Sequence, residues 1–151
     1  MNETTDWDAH FMQFAQLASE KSKDDSSQYG AAIVDSDNIL RSTGFNGMPR
    51  GVNEHLDYRT RKPYKRHFYE HAERNAIYNA ARSGIQTLNC TIYLLEPPCA
   101  PCARAIIQAG ITQVVCATNP SYPKGDEEDW RASVEHGLEQ MLEAGVSVRF
   151  L

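Results

Sequence analysis

With 151 residues, 41% of them hydrophobic and 23% charged, the chain has the size and composition of one ordinary soluble globular domain. A formal net charge of −5 without a broad basic face excludes a grip on a long polynucleotide, and no apolar run approaches the roughly 20 residues that cross a bilayer. The polar, acidic start Met1-Asn2-Glu3-Thr4-Thr5-Asp6 does not read as a secretory signal, and four cysteines suit a reducing cytoplasm better than a disulfide framework.

Along the chain, Trp7 to about Ser22 has helical spacing, with Phe11, Phe14, Ala15 and Ala18 on one side, and Asp24-Asp25-Ser26-Ser27 breaks it. Tyr29 to Val34 and Ile39 to Phe45 read as strands joined by the turn residues Asp35-Ser36-Asp37-Asn38. Gly47 to about His67 has few apolar residues and reads as a long loop, a length that usually marks a functional segment. Glu70 to Arg82 predicts a helix with Ala72, Ala76, Ile77, Ala80 and Ala81 on its apolar face, stopped by Gly84. Thr91 to Leu95 predicts a strand, and the Pro97-Pro98 turn leads on to a helix over Ala103 to Ala109 that ends at Gly110. Thr112 to Ala117 is a further strand and residues 119–125 a loop. A helix over about Glu127 to Ala144 and a last strand over Val146 to Leu151 complete the chain. Strands alternating with helices through the second half imply an α/β protein, its sheet parallel or mixed and covered on both faces. No internal repeat or linker divides it.

Two short motifs carry the chemistry. His71-Ala72-Glu73 offers an imidazole and a carboxylate, and Pro98-Cys99-Ala100-Pro101-Cys102 offers two thiolates. A structural zinc is closed by four protein ligands, whereas a zinc that activates water keeps one position open, so three ligands point to catalysis. Glu73, two residues from a ligand, suits a proton carrier. The predicted helices put His71 and Glu73 in the first turn of one helix, and Cys99 and Cys102 on one face at the start of the other. Both positive helix ends then favour thiolate. Cys90, Cys116 or His67 could supply a fourth ligand and make the zinc structural. Otherwise Cys90 and Cys116 read as small buried residues beside apolar strands.

His-x-Glu followed by Pro-Cys-x-x-Cys is the general signature of zinc deaminases acting on nucleobases. On that signature and its surroundings the chain resembles the deoxycytidylate (dCMP) deaminase family of the cytidine deaminase superfamily. The resemblance runs from about Ser22 to Leu151. It is carried by Ser22-Lys23-Asp24, by Phe45-Asn46-Gly47-Met48-Pro49-Arg50-Gly51, by the segment from Glu70 to Ile77, and by the segment from Pro98 to Ile107. The zinc pattern alone reaches the superfamily, while Asn-Gly-Met-Pro and His-Ala-Glu-Arg-Asn-Ala point to the nucleotide branch. The resemblance implies a three-layer α/β/α sandwich around a five-stranded mixed sheet, with one zinc-dependent deaminase domain over residues 1–151. It implies Zn2+ and the conversion of dCMP and water to dUMP and ammonia. It further implies a homo-oligomer, hexamer or dimer, activated by dCTP and inhibited by dTTP, with Mg2+ accompanying the effector nucleotide. The chain departs from the family's usual pattern at Tyr29, where Val is common, near Ser27, where Thr is usual, and at Glu96-Pro97-Pro98, where an aromatic residue often precedes the proline.

By that resemblance His71, Cys99 and Cys102 hold zinc. Glu73 moves a proton from water to ring N3 and then to the departing amine, a role that typically contributes roughly 10²- to 10⁴-fold. Main-chain groups around Ala72 and Cys99 would contact the base. Asn46, at a strand end, offers a donor and an acceptor for a base or sugar hydroxyl, and Asn46-Gly47 is equally a turn signal. A 5′-phosphate needs cationic or N–H donors, and Lys23, Ser26, Ser27, Arg50 and Tyr122 are candidates that spacing does not separate. The cationic stretch Arg59 to Arg66 suits one or a few phosphates, a subunit contact, or an ordinary solvated loop. Two competing readings stand beside this one. The first is a superfamily deaminase acting on a free base, nucleoside or modified nucleotide; the second is a zinc-stabilised binding module without catalysis.

Overall fold

The computed structural model describes residues 6–120 and 128–151, so the candidate phosphate contact Tyr122 lies outside the described residues. Asp6 caps the first helix, α1 (Trp7–Ser19), its Oδ1 accepting from the main-chain N–H groups of Asp8 and Ala9 at 3.0 and 3.2 Å. Those donors would otherwise be left without partners at the helix start. The helix stops at Ser19 rather than near Ser22, because the N–H groups of Lys21 and Ser22 turn back onto the carbonyls of Ala18 and Ser19. Strands β1 (Gly30–Val34) and β2 (Leu40–Phe45) follow as an antiparallel pair. Asp35 Oδ1 closes the turn between them by accepting from Asp37 and Ile39 N–H, both at 2.9 Å.

The stretch predicted as bare loop contains a 3-10 turn at Asp57–Thr60 and one helical turn, α2 (Lys65–Phe68). Tyr58 meets Tyr64 and Phe68 edge to face at 5.9 Å, and Arg59 lies 4.7 Å over the Phe68 ring. A single turn is too short to show a hydrophobic period, so the sequence pattern does not reveal it. The remaining elements are α3 (Ala72–Arg82), β3 (Thr91–Leu94), α4 (Ala100–Gln108), β4 (Gln113–Cys116), α5 (Glu128–Glu143) and β5 (Ser147–Phe150).

The strands form a five-stranded mixed sheet in the order β2-β1-β3-β4-β5. β1 is antiparallel to both neighbours, and β3, β4 and β5 are parallel, with α4 and α5 as the crossovers. Alternation along the strands splits the core in two. Ala31, Ile33, Ile92, Leu94 and Val114 pack with Ala72 and Ala76 of α3, Ala103 and Ile106 of α4 and Met141 of α5. Ala32, Val34, Tyr93 and Val115 pack with Phe11 and Ala15 of α1 on the opposite face. Each fully buried Ile or Leu in such a core contributes about 1.5–3 kcal/mol. The fold is therefore the expected α/β/α arrangement, with both motif-bearing helices on one face.

Close approach sets the position of α3. A Cβ at Gly44 of β2 would stand 2.3 Å from the main-chain nitrogen of Ala76 and 2.5 Å from the carbonyl oxygen of Ala72. Asn75 and Asn79 donate their amides to the main-chain carbonyls of Phe45 and Thr43 at 2.8 Å, covering the otherwise free edge of β2. The start of α3, and with it His71, is fixed against the end of that strand.

Candidate metal centre

His71 and Cys99 reach the site from helix N-caps, not from first helical turns as the sequence pattern suggests. α3 begins at Ala72, leaving His71 as its extended flanking residue with φ −84° and ψ 154°. α4 begins at Ala100 rather than Ala103, and Cys99 holds the equivalent position with φ −68° and ψ 166°. Pro101 fits inside the first turn because the N–H it lacks has no intrahelical partner there. The carbonyls of His71 and Cys99 each start a helix ladder, accepting from Asn75 and Ala103 N–H at 2.9 Å.

The ligand atoms converge. His71 Nδ1 lies 3.5 Å from Cys99 Sγ and 3.4 Å from Cys102 Sγ, and the three atoms lie within 4.8 Å of one another. A tetrahedral zinc with Zn–S about 2.3 Å and Zn–N about 2.0–2.1 Å separates sulfur and nitrogen ligands by about 3.6 Å. The donors thus already hold the spacing that zinc needs. Hydrogen bonds from Cys102 and His71 pull the Cys99 thiol down to about 4, while the same shared contact, with burial, pushes Cys102 up. The contact with Cys99 in turn raises His71. A dication would bind both sulfurs as thiolates and displace their protons. Among the described residues Cys90, Cys116 and His67 do not join the cluster. Burial pushes the Cys90 thiol up and that of Cys116 to about 12, so both remain protonated core thiols.

Glu73 is half-buried in the first turn of α3, outside the set of ligand atoms. Burial pushes its carboxyl above the usual carboxylate range, against the pull of His71. Raised proton affinity in a group that binds no metal suits a proton carrier. Glu70 orients its neighbour: its Oε1 accepts from the main-chain N–H of His71 at 2.9 Å and from Arg74 Nε at 2.5 Å. Glu70 is itself bridged to Gly47 by two main-chain hydrogen bonds of 2.8 and 3.1 Å, so the Asn46-Gly47 turn helps to hold His71 in place.

Helix α5 supplies three further supports that sequence reasoning missed. Ser133 Oγ accepts from Ala100 N–H at 3.1 Å. The Trp130 ring sits 6.1 Å from the His71 ring. Gly137 approaches the cysteine turn so closely that a Cβ there would stand 2.8 Å from the carbonyl oxygen of Pro98. A glycine inside a helical pattern was the available signal, because it costs about 1 kcal/mol relative to alanine and usually has a packing reason.

The predicted substrate contacts are not gathered in one place. Ala72 opens α3, where main-chain N–H groups lack helical partners. Asn46 is buried; its Nδ2 donates to Ser27 carbonyl at 2.9 Å and to Asp24 Oδ2 at 3.3 Å, and its Oδ1 accepts from Tyr29 N–H at 2.8 Å. Both amide hydrogens are engaged, and one Oδ1 lone pair remains. Ser26 donates to Asp24 Oδ1 at 2.9 Å and accepts from Lys65 Nζ at 2.8 Å. Arg50 stands apart, donating to Asn79 Oδ1 at 2.7 Å, about two helical turns beyond His71. Lys23 is ion-paired with Glu54. The organiser of this rim is Asp24, which the sequence shows as a helix breaker and as the end of the Ser22-Lys23-Asp24 segment, without its role. It is buried, with Oδ2 2.5 Å from Lys65 Nζ. Burial opposes its ionisation, but Lys65 and Ser26 outweigh that and hold its carboxyl below the usual range.

Comparison with known proteins agrees with this geometry. The model of the cytidine and deoxycytidylate deaminase zinc-binding region matches residues 5–118. The chain is 38% identical over 131 residues to the deoxycytidylate deaminase of Homo sapiens, covering 81% of this chain and 70% of that protein. It is 36% identical over 146 residues to an uncharacterized deaminase of Aliivibrio fischeri, covering 96% and 93%. In structure it is similar to the dCMP deaminase of the cyanophage S-TIM5, crystallised with dCMP and dUMP. That likeness has a TM-score of 0.76 and 24% identity over 99% of this chain and 100% of the other, and it shows the fold.

Proposed function

Because the chain belongs to the zinc-binding cytidine and deoxycytidylate deaminase family, we propose that it hydrolyses the amino group of a cytosine nucleotide, turning dCMP and water into dUMP and ammonia. The observation that carries this reading is a cluster of three ligands with Glu73 beside it and outside it. His71, Cys99 and Cys102 would hold the zinc, which when bound would supply a water whose pKa is lowered to about 7. Glu73 accepts a proton from the attacking water and carries it to N3, which makes C4 electrophilic. Glu73, a carboxylate again, takes the second water proton from the new C4 hydroxyl and passes it to the amine, so that C4=O forms as the C4–N bond breaks and ammonia leaves. Arg74, beside Cys102 and paired with Glu70, offsets the negative charge of the thiolates. Main-chain groups at Ala72 and Cys99 orient the base.

The human relative's name, and the nucleotides bound to the cyanophage protein, support a nucleotide substrate. Ser26 and Lys65 form the rim we assign to the phosphate, with Arg50 and Tyr122 as further candidates, and the remaining acceptor of Asn46 is assigned to the base. The family resemblance also supports a homo-oligomer, a dimer or hexamer, and regulation by dCTP and dTTP with Mg2+. Leu17, Tyr78 and Leu142 leave exposed apolar surface for subunit contact. No described helix is long and apolar enough to cross a membrane. The four free, buried cysteines support a cytoplasmic setting.

Ammonia release from dCMP, CMP, deoxycytidine, cytosine, adenine and guanine tests the reading. We expect dCMP to exceed deoxycytidine by at least about tenfold in kcat/KM. Charge-assisted contacts to phosphate are about twice as strong as neutral ones, and each donor left unpaired costs roughly 1–3 kcal/mol. Equal rates, or preference for a free base, would move the chain to another branch of the superfamily. No release from any compound would leave the zinc-stabilised binding module.

A further inference from the structure

Two of the chain's departures from its family's usual pattern meet beside the metal cluster. The β1–β3 register pairs Ala31 with Leu94, so its continuation sets Tyr29 opposite Glu96. By the two-residue period of a strand, both side chains share the face of Ala31 and Leu94, on which α3 and α4 stand. Tyr29 Oη donates to Glu96 Oε2 at 3.4 Å, and both residues are half-buried. The Tyr29 backbone is held on both sides by Asn46, donating to its Oδ1 at 2.8 Å and accepting from its N–H at 3.2 Å. Glu96 runs straight into Pro97-Pro98-Cys99, all buried, so its backbone is fixed to that of a metal ligand. Burial and the neighbouring charge of Glu96, with a smaller contribution from Glu73, push the Tyr29 hydroxyl up.

The mechanism uses Glu73 and leaves Glu96 without a task. A carboxylate has about four lone-pair sites, and the long bond from Tyr29 engages one. It repels a phosphate dianion at close range, so any part of the substrate that it touches is a donor. A dCMP dianion carries donors in two places only: the 4-amino group, which is lost beside Glu73, and the sugar hydroxyl. We propose that Glu96 accepts a hydrogen bond from the sugar hydroxyl of the nucleotide and that Tyr29 is its positioning residue, an inference that rests on the deaminase reading above. The pair selects an intact sugar, while the zinc ligands and Glu73 act on the base.

The test compares dCMP with 2′,3′-dideoxycytidine 5′-monophosphate, which lacks that hydroxyl, on zinc-loaded wild type, Glu96→Ala, Glu96→Gln and Tyr29→Phe, with zinc content measured for each. Wild type should prefer dCMP by about tenfold or more in kcat/KM, the scale of a charge-assisted hydrogen bond. Glu96→Ala should shrink the preference to within about twofold, mainly by raising KM for dCMP. Glu96→Gln and Tyr29→Phe should fall between, because each keeps part of the contact. An unchanged ratio, with both rates lowered equally, would overturn the proposal and assign Glu96 to the departing amine or to the fold. If Glu96→Ala fails to hold zinc, the ratios of the two conservative variants decide in the same way. Turnover of neither nucleotide by wild type would sink the deaminase reading instead. Calorimetric binding to Glu73→Gln would then judge the inference: tighter binding of dCMP supports it, and equal affinity overturns it.

Discussion

The metal cluster and the rim around it are assembled by different means. His71, Cys99 and Cys102 come from two helix starts on one face of the sheet, and each motif fits within a few residues. The rim gathers Ser26, Ser27, Asn46 and Lys65 around one buried carboxylate, that of Asp24. Backbone geometry holds the cluster, through N-caps, prolines and the close approaches at Gly44 and Gly137. Side-chain charge holds the rim. Damage to the cluster should therefore appear as lost metal and lost turnover, whereas damage to the rim should appear as lost stability with metal retained.

The largest expected effect breaks the cluster. Cys102→Ser removes a fully buried thiolate; zinc content should collapse and ammonia release should fall below detection, as it should for wild type stripped by a chelator. Glu73→Gln separates chemistry from metal binding. It should keep stoichiometric zinc while kcat drops by roughly 10²- to 10⁴-fold, and a variant with near-normal turnover would remove Glu73 from the mechanism.

Asp24→Asn tests the other half of the comparison. Loss of the charge leaves Lys65 without its buried partner, so urea unfolding should show about 3 kcal/mol less stability, with zinc unchanged. Acid sharpens the same point. The folded Asp24 carboxyl is held below its unfolded value, so its stabilisation is complete above about pH 4 and is lost as pH falls towards the lowered folded value. Stability of wild type should fall with acid over that window more steeply than that of Asp24→Asn. The smallest effect lies on the far face of the sheet. Tyr93 donates to Asp8 at 2.9 Å beneath α1. Tyr93→Phe should cost about 1 kcal/mol and leave zinc and kcat as they were.

The cluster was legible in the sequence because motif spacing and helix starts are local properties. Of the apolar face expected on α3, Ala72, Ala76 and Ala80 are buried and Ala81 is exposed. What escaped are meetings across the fold. Asp24 reads as a breaker because its partners Asn46 and Lys65 lie far along the chain. Trp130 and Ser133 look like ordinary helix residues until α5 is laid against the cysteine turn. The exact helix starts also escaped, since a residue flanking a helix and one in its first turn share the same hydrophobic pattern. Tyr29 and Glu96 each stood out singly as departures, but only the strand register sets them opposite each other.

The central claim is that three protein ligands hold zinc and leave one position for water. Zinc-edge X-ray absorption on the purified chain, with metal analysis of the same sample, tests it most directly. The account predicts about one zinc per chain, bound by two sulfurs, one imidazole nitrogen and one light exogenous ligand. A first shell of four protein ligands would contradict it and make the zinc structural.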